Sequence, residues 1–403
     1  MPRAFAQDNN GRYLTDGLSE SQFIKVFNAV NREQANNRQS AKNTLRPRAL
    51  KRKSIEDLVK LGKKEDGTAF TADDLKRFDE LRKKFRKRTS GSAGITYNEL
   101  IGSSTEKDRK RASNTSKDGL GIQNAAMIKL ERGNVVIARV QASSRSVHQE
   151  HRVRIQLLDW AEELEEAEVS EKGYQKAVKN ACRGSLKIDC DCGRHQYWFR
   201  YMSSVGGYQY GRNLEQAYPK VRNPKLIGTA CKHVLKVAQM LQSPIWQRKL
   251  AKQMDRQATQ VGFTDSGKGS TKTFGERDQK ELSKNRSTVI TEAQHAKAQA
   301  GFERYELRRK AMQKALKGKA GKNLQDSLSK IKRYKQQADK AQQQVRQLKQ
   351  KLANEKRSAL INQIKSNVDF AVNTLGQSRD TVIKGMAKKM NKSVTDIEKL
   401  LND

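Results

Sequence analysis

The sequence predicts an α+β protein: a small central domain built around a ββα finger, flanked by extended basic helical segments, with a weak coiled coil in the C-terminal part. Three observations lead there. Three of the four cysteines fall in two tripeptides, Cys190-Asp191-Cys192 and Cys231-Lys232-His233. Strand-like alternation is confined to the middle of the chain. The 403 residues carry a net charge of +38 and are only 35% hydrophobic and 31% charged. Such a balance leaves too little apolar surface to fold the whole chain into one compact globule.

Residues 1–120 read as a basic helical arm, partly disordered alone. Short helices are expected over Glu20–Arg32 and Ser54–Leu61, and a stronger one over Thr71–Arg88. Asp73 and Asp74 open that third helix and Arg82, Lys83, Lys84, Arg86, Lys87 and Arg88 close it, which complements the helix dipole. Polar linkers are expected at Asn36–Asn43 and Thr89–Gly94.

Residues 121–262 form the expected globular domain. Asn134–Ala142 and Arg152–Leu158 alternate as two strands joined by Ser143–His151. An acidic helix from Asp159 to Glu168 places Trp160 and Leu164 on one side, and a second helix, Ser170–Ala181, leads into the finger at about 185–245. The acidic helix either docks on a basic segment of this chain or a neighbouring copy, or presents a solvated face.

Residues 263–300 read as a polar linker. Gly262–Gly269 nearly spells a phosphate-binding loop, but Gly269 replaces the hydroxyl that would hold magnesium, and no strand precedes it. Residues 301–403 form a basic tail of long helices, with 25 Lys or Arg against 10 acids. Leu324, Ile331, Ala338, Val345 and Leu352 recur every seven residues, with Tyr334, Ala341 and Leu348 between them. The frame then shifts to Leu360, Ile364, Val368, Ala371 and Leu375, and two short helices, Asp380–Met390 and Ser393–Leu401, end the chain.

The finger carries the chemistry. Leu186–Cys192 alternates as a strand, so Cys190 and Cys192 point to one side while Asp189 and Asp191 point to the other. Tyr197–Met202 reads as the returning strand of a hairpin. Cys231 and His233 converge if they straddle a loop-to-helix junction: Gly228-Thr229-Ala230 precedes them, and Val234, Leu235, Val237, Ala238 and Leu241 follow as an apolar helical stripe. Thr229 is the expected N-cap. Three thiolates and an imidazole make a tetrahedral Zn²⁺ site with no position left for water or substrate, which marks a structural metal. Its net charge of −1 is expected to be offset by Arg194 or Lys232. His195 is the competing ligand, and Cys182 reads as a small buried hydrophobe. The C-x-C … C-x-H arrangement resembles the SWIM-type zinc finger, a module associated with DNA binding and protein contacts. Thirty-eight residues separate the two ligand pairs, a long insertion for such a module.

A basic side runs beside the ligands: Arg194, Arg200, Arg212, Lys220, Arg222, Lys225, Lys232 and Lys236 are the candidate nucleic-acid-binding residues. Tyr197, Trp198, Phe199, Tyr201, Tyr208, Tyr210 and Tyr218 either stack bases or pack on both sides of a small core. Contacts of this kind hold DNA through its backbone without reading sequence, and so depend steeply on salt. No nucleophile, acid–base or nucleotide motif supports catalysis, so the chain reads as a non-enzyme. No signal peptide or transmembrane run is visible.

The segment Asp189–His233 (DCDCGRHQYWFRYMSSVGG … PKVRNPKLIGTACKH) is also similar to proteins of tailed bacteriophages, among virion and morphogenesis components. That resemblance implies a virion-associated protein made in the host cytoplasm, beside DNA or ejected with it. Its partners would be DNA, further copies of itself or other virion proteins. The alternative is a cytoplasmic, nucleoid-associated accessory factor of recombination, transposition or regulation. A third reading is an assembly protein whose charge meets acidic protein neighbours.

Overall fold

The computed structural model of the chain describes residues 6–51, 54–89, 94–258, 271–284, 289–315, 319–390 and 393–402. They divide into two compact units, Met1–Lys314 and Ala315–Asp403. The near-P-loop at 262–269 lies outside the described residues.

The first unit is organised by an antiparallel six-stranded sheet in the order β1-β5-β4-β3-β2-β6. The strands are β1 (Ile95–Thr96), β2 (Ala125–Glu131), β3 (Val135–Gln141), β4 (Glu150–Leu157), β5 (Ser185–Cys190) and β6 (Lys272–Thr273). β3 and β4 fall where alternation places them. β3 lies third from one edge and is buried along nearly its whole length. β2 escapes sequence reading because a register shift between Met127 and Lys129 breaks its alternation.

Both sheet faces are covered, and the N-terminal 120 residues do much of the covering. They are therefore not an extended arm. Helix α1 (Glu20–Ser40) starts at a capping box, with Ser19 and Gln22 each bonding the other's backbone. Its Phe23, Val26 and Phe27 pack on Ile128 and Ile137 of the sheet. It runs on to Ser40 through much of the expected Asn36–Asn43 linker. Arg139 on β3 stacks over the Phe23 ring at 4.7 Å and donates to the Leu18 carbonyl, while Arg152 on β4 donates to the Phe27 carbonyl.

Helices α2 (Ile55–Val59) and α3 (Ala72–Thr89) follow as predicted. α3 sends Leu75, Phe78 and Phe85 into the principal core, where Phe78 stacks on Tyr218 at 4.8 Å. Helices α4 (Tyr97–Gly102) and α5 (Glu106–Ala112), capped by Thr96 and Thr105, continue into the same core.

The principal core also takes in α6 (Trp160–Glu166), α7 (Glu171–Ala181), α8 (Arg200–Val205), α9 (Lys232–Met240) and α10 (Pro244–Ala258). Trp160 and Leu164 are buried, so the acidic helix docks by its apolar side. The Trp160 indole N–H donates to Gln257 of α10. The Trp246 indole N–H donates to the Leu282 carbonyl in α11 (Glu276–Ser283). The stretch read as a 263–300 linker thus supplies β6, α11 and the start of α12 (Glu292–Ala315), all packed on the first unit. α12 crosses α4 at Gly102, where a Cβ would stand 2.8 Å from the Gln299 backbone, and His295 bonds the Gly102 carbonyl.

Glu99 on α4 sits near this crossing, beside Arg88, Glu306 and Arg309. Burial pushes its pKa up to about 7, although the two arginines pull it down. A raised folded value means the fold prefers the protonated acid. The contribution is complete below the unfolded value of 4.5 and is lost as pH rises through about 7. Glu99→Gln is therefore expected to raise stability by about 2 kcal/mol more at pH 8 than at pH 5. Thermal melts of zinc-saturated protein at the two pH values test this, and an equal shift at both contradicts it.

In the second unit, α13 (Lys319–Asn373) is followed by α14 (Arg379–Met390) and α15 (Val394–Asn402), as the sequence predicts. The shifted frame is real: Ile364 and Val368 bury against Val382, Ile383, Ala387 and Ile397. Along the preceding heptads Tyr334, Val345, Leu348 and Leu352 are exposed, and the side chains of Leu324, Ile331 and Ala338 lie outside the described residues.

Candidate metal centre

Cys190 ends β5, and antiparallel pairing sets it opposite Val153 of β4. Cys192 follows two residues on. Cys231 is the N-cap residue of α9, with the extended ψ of 161° that such a position requires, and His233 stands in the first turn. Thr229, the expected cap, instead donates its hydroxyl to the Leu100 carbonyl at 2.7 Å and pins the loop to α4.

These elements bring Cys190, Cys192, Cys231 and His233 together. Their ligand atoms all lie within 4.8 Å of one another and all four residues are buried. A tetrahedron with metal–sulfur bonds of about 2.3 Å separates its sulfurs by roughly 3.8 Å, so the spacing suits one small ion. His233 turns Nδ1 toward the cluster, 3.9 Å from Cys190 Sγ. Burial and the neighbouring His151 lower its pKa to about 4, which keeps the imidazole neutral, as a ligand must be.

The thiols are unequal. Burial, with the neighbouring sulfurs, holds Cys190 and Cys192 well above the ordinary thiol value. Burial alone would raise Cys231 too, but hydrogen bonds from Cys190, Cys192 and His233 pull it well below. Cys231 also sits at the positive end of α9. A divalent cation bound here would require all three thiols to be deprotonated.

The hairpin expected after Cys192 is absent. Residues His195–Phe199 form a π-helical turn that runs directly into α8. The His195 amide donates to Cys192 Sγ at 3.3 Å, which bends the chain back at the ligand and starts the turn. Phe199, Arg200, Tyr201, Met202 and Ser203 are all buried, so this segment is core rather than a two-faced strand. The second strand of the ββα unit is β4, more than thirty residues upstream. The aromatics follow suit: Phe199, Tyr201, Tyr208 and Tyr218 pack inside, and Tyr197 is the exposed ring.

Both aspartates of the knuckle face away from the thiolates and are buried. Asp191 accepts from His151 Nδ1 at 2.7 Å and from the Arg152 amide at 2.9 Å. His151 Nε2 bonds Ser146 Oγ at 2.9 Å, and its ring lies 4.5 Å from that of His233. Sequence reasoning missed this Ser146–His151–Asp191 chain because forty residues separate its halves. It ties the β3–β4 connection to the metal knuckle. Asp189 accepts from Arg154 Nη2 at 2.6 Å and from Gln209 at 2.8 Å, with Arg200 at 3.5 Å. His195, the competing ligand, turns to Gln209 and Asp189. Cys182 is buried elsewhere, its thiol pushed up to about 12 by burial.

The basic residues divide. Lys232 donates to the Leu120 carbonyl and Lys236 is 1% exposed, so neither belongs to a surface that phosphates can reach. Arg194 forms a double hydrogen bond with Asp108 and lies 4.1 Å above the Trp198 ring, which commits it to that carboxylate rather than to the centre's charge. Lys220 donates to the Leu61 carbonyl, over the Phe70 ring. Arg200 is 5% exposed and donates to the Cys190 carbonyl. Arg212, Arg222 and Lys225 remain exposed.

Comparison with protein-family models, curated proteins and solved structures finds no match to this chain. What the geometry establishes is a buried Cys₃His cluster able to take a metal ion. Among the described residues, no helix is long and apolar enough to cross a membrane.

Proposed function

We propose that this chain is a non-enzymatic, SWIM-like zinc protein of a bacteriophage virion, which contacts packaged DNA and assembles with further copies or other virion proteins. The observation that carries the reading is the sealed donor set. Four buried protein ligands fill a tetrahedron, so zinc there organises the fold instead of activating water. The function then lies on the surface, and a net charge of +38 calls for a polyanion. The inward packing of the finger aromatics favours backbone contact over base stacking. The likeness of Asp189–His233 to tailed-phage proteins supports the virion setting.

Affinity for duplex DNA across a salt series tests the DNA contact. Wild type is compared with a variant neutralised at the three residues that stay exposed, Arg212, Arg222 and Lys225. A steep slope that flattens in the variant is expected, by about one unit for each phosphate that the variant leaves unneutralised. Absence of binding at low salt rejects the DNA contact and leaves an assembly protein. Stoichiometric presence in purified particles tests the virion setting, and recovery only in the infected-cell lysate rejects it.

A further inference from the structure

Helix α1 and the loop after α8 enclose a surface depression of about 280 Å³. Four arginines line it, Arg38, Arg46, Arg200 and Arg212, against a single carboxylate, Glu215. They come from four places in the sequence. Two contacts close the ring: the Tyr218 amide donates to the Leu45 carbonyl, next to Arg46, and the Glu215 amide donates to Ser204 Oγ on α8.

The arginines do different things. Arg38 is bound to Glu215, whose other oxygen accepts the Ala217 amide, so that acid is already consumed. Arg200 lies more than nine-tenths buried, its terminal nitrogens held by the Cys190 carbonyl and Gln34 and 3.5 Å from Asp189, while its Nε has no hydrogen-bond partner. Arg46 and Arg212 are exposed and have no carboxylate partner among the described residues. Two exposed guanidiniums without a carboxylate partner, beside a third with one unanswered N–H, make a setting that suits an anion.

The shape narrows the anion. Guanidinium forks match phosphate oxygens in pairs, and several converging forks suit a group with more than one charged oxygen. The volume lies near the lower limit of ligand clefts, enough for a phosphate and its sugar but not for a large cofactor. Exposed Leu214 offers apolar contact at the rim. We infer that this depression is a phosphate-binding site, which seats one backbone phosphodiester of DNA and fixes the strand's position. The inference rests on the DNA-contacting reading above. It adds that one contact is a built pocket, distinct from the diffuse charge around it. Arg200 also bonds the carbonyl of a metal ligand, so this contact would lie one residue from the zinc centre.

The test uses the full-length, zinc-loaded protein. One variant is Arg46→Gln/Arg212→Gln. The charge-matched control is Arg222→Gln/Lys225→Gln, exposed residues of the same loop that do not line the depression. Each is titrated with a 20-base-pair duplex over a salt series and, separately, with inorganic phosphate by calorimetry. Zinc content and near-ultraviolet circular dichroism check that each variant folds. Expected are phosphate binding by wild type and control but not by the pocket variant, and at least a tenfold greater loss of duplex affinity in the pocket variant. Equal losses in the two variants with no phosphate uptake by wild type overturn the pocket and leave the DNA-contacting reading standing. Phosphate uptake without duplex binding keeps the pocket, assigns it to a free phosphate compound and overturns the DNA contact.

Discussion

Replacing Cys231 with serine is expected to cost the first unit most of its stability, with near-ultraviolet circular dichroism collapsing well beyond the finger. A structural zinc contributes of the order of 10 kcal/mol of apparent binding energy to folding, and loss of one ligand forfeits a large share of it. A domain's whole stability is about 5–15 kcal/mol. The reach of the effect follows from the packing. Cys190, Cys192 and Cys231 belong to the same continuous core as Leu45, Phe78, Leu100, Val136 and Trp246. A metal held there would pin β5 to α9 at the centre of the unit, so melting on its loss is not expected to stay confined to residues 185–245. Cys182→Ser is the control: it is equally buried but outside the ligand cluster, and should keep one equivalent of zinc with a loss of about 1–3 kcal/mol. Full zinc content and an unaltered spectrum in Cys231→Ser would falsify the structural-metal assignment.

Arg154→Met is expected to destabilise the first unit by about 3–5 kcal/mol, because it leaves the buried Asp189 carboxylate short of its main countercharge. Asp189 is 2% exposed. Burial alone would raise its pKa, but Arg154 first and Arg200 next hold it well below the usual carboxylate range. Methionine retains much of the arginine stem and removes the charge, so the loss reports the ion pair rather than a cavity. Adding Asp189→Asn to Arg154→Met should recover more than half of the deficit, since an amide has no charge to compensate. Urea unfolding of the zinc-saturated proteins measures both. A double variant no more stable than the single one would show that the cost lies in packing.

Local signals were legible wherever the chemistry is local. The helix starts expected at Glu20, Ser54 and Ser170 hold in the fold to within a residue. β3 and β4 follow period-two alternation, and the shifted frame at Ile364 and Val368 identifies the packed end of α13. Tyr197–Met202 misled because its alternation of aromatic and polar residues fits a strand equally well. The outcome was decided by the His195 amide turning onto Cys192 sulfur and by burial on all sides, neither of which a pattern of two faces expresses. The N-terminal 120 residues misled through composition: their few large side chains are spread over several short helices, each too weak to suggest a core alone. Lys232 and Lys236 show the same limit, since a lysine inside a helix reads as exposed until the neighbouring elements are in place.

The sequence by itself determined the ligand set, because thiolates and an imidazole in two tight pairs have few other uses, and it determined the charge that any partner must answer. Only the tertiary structure decided which charges remain available. Sheet pairing and helix packing brought Asp108 to Arg194, Asp189 to Arg154, the Leu120 carbonyl to Lys232, and Arg46 beside Arg212. Those meetings join residues from 35 positions apart, for Arg154 and Asp189, to 166 apart, for Arg46 and Arg212. Their energy depends on distance and burial in three dimensions, to which spacing along one dimension is blind.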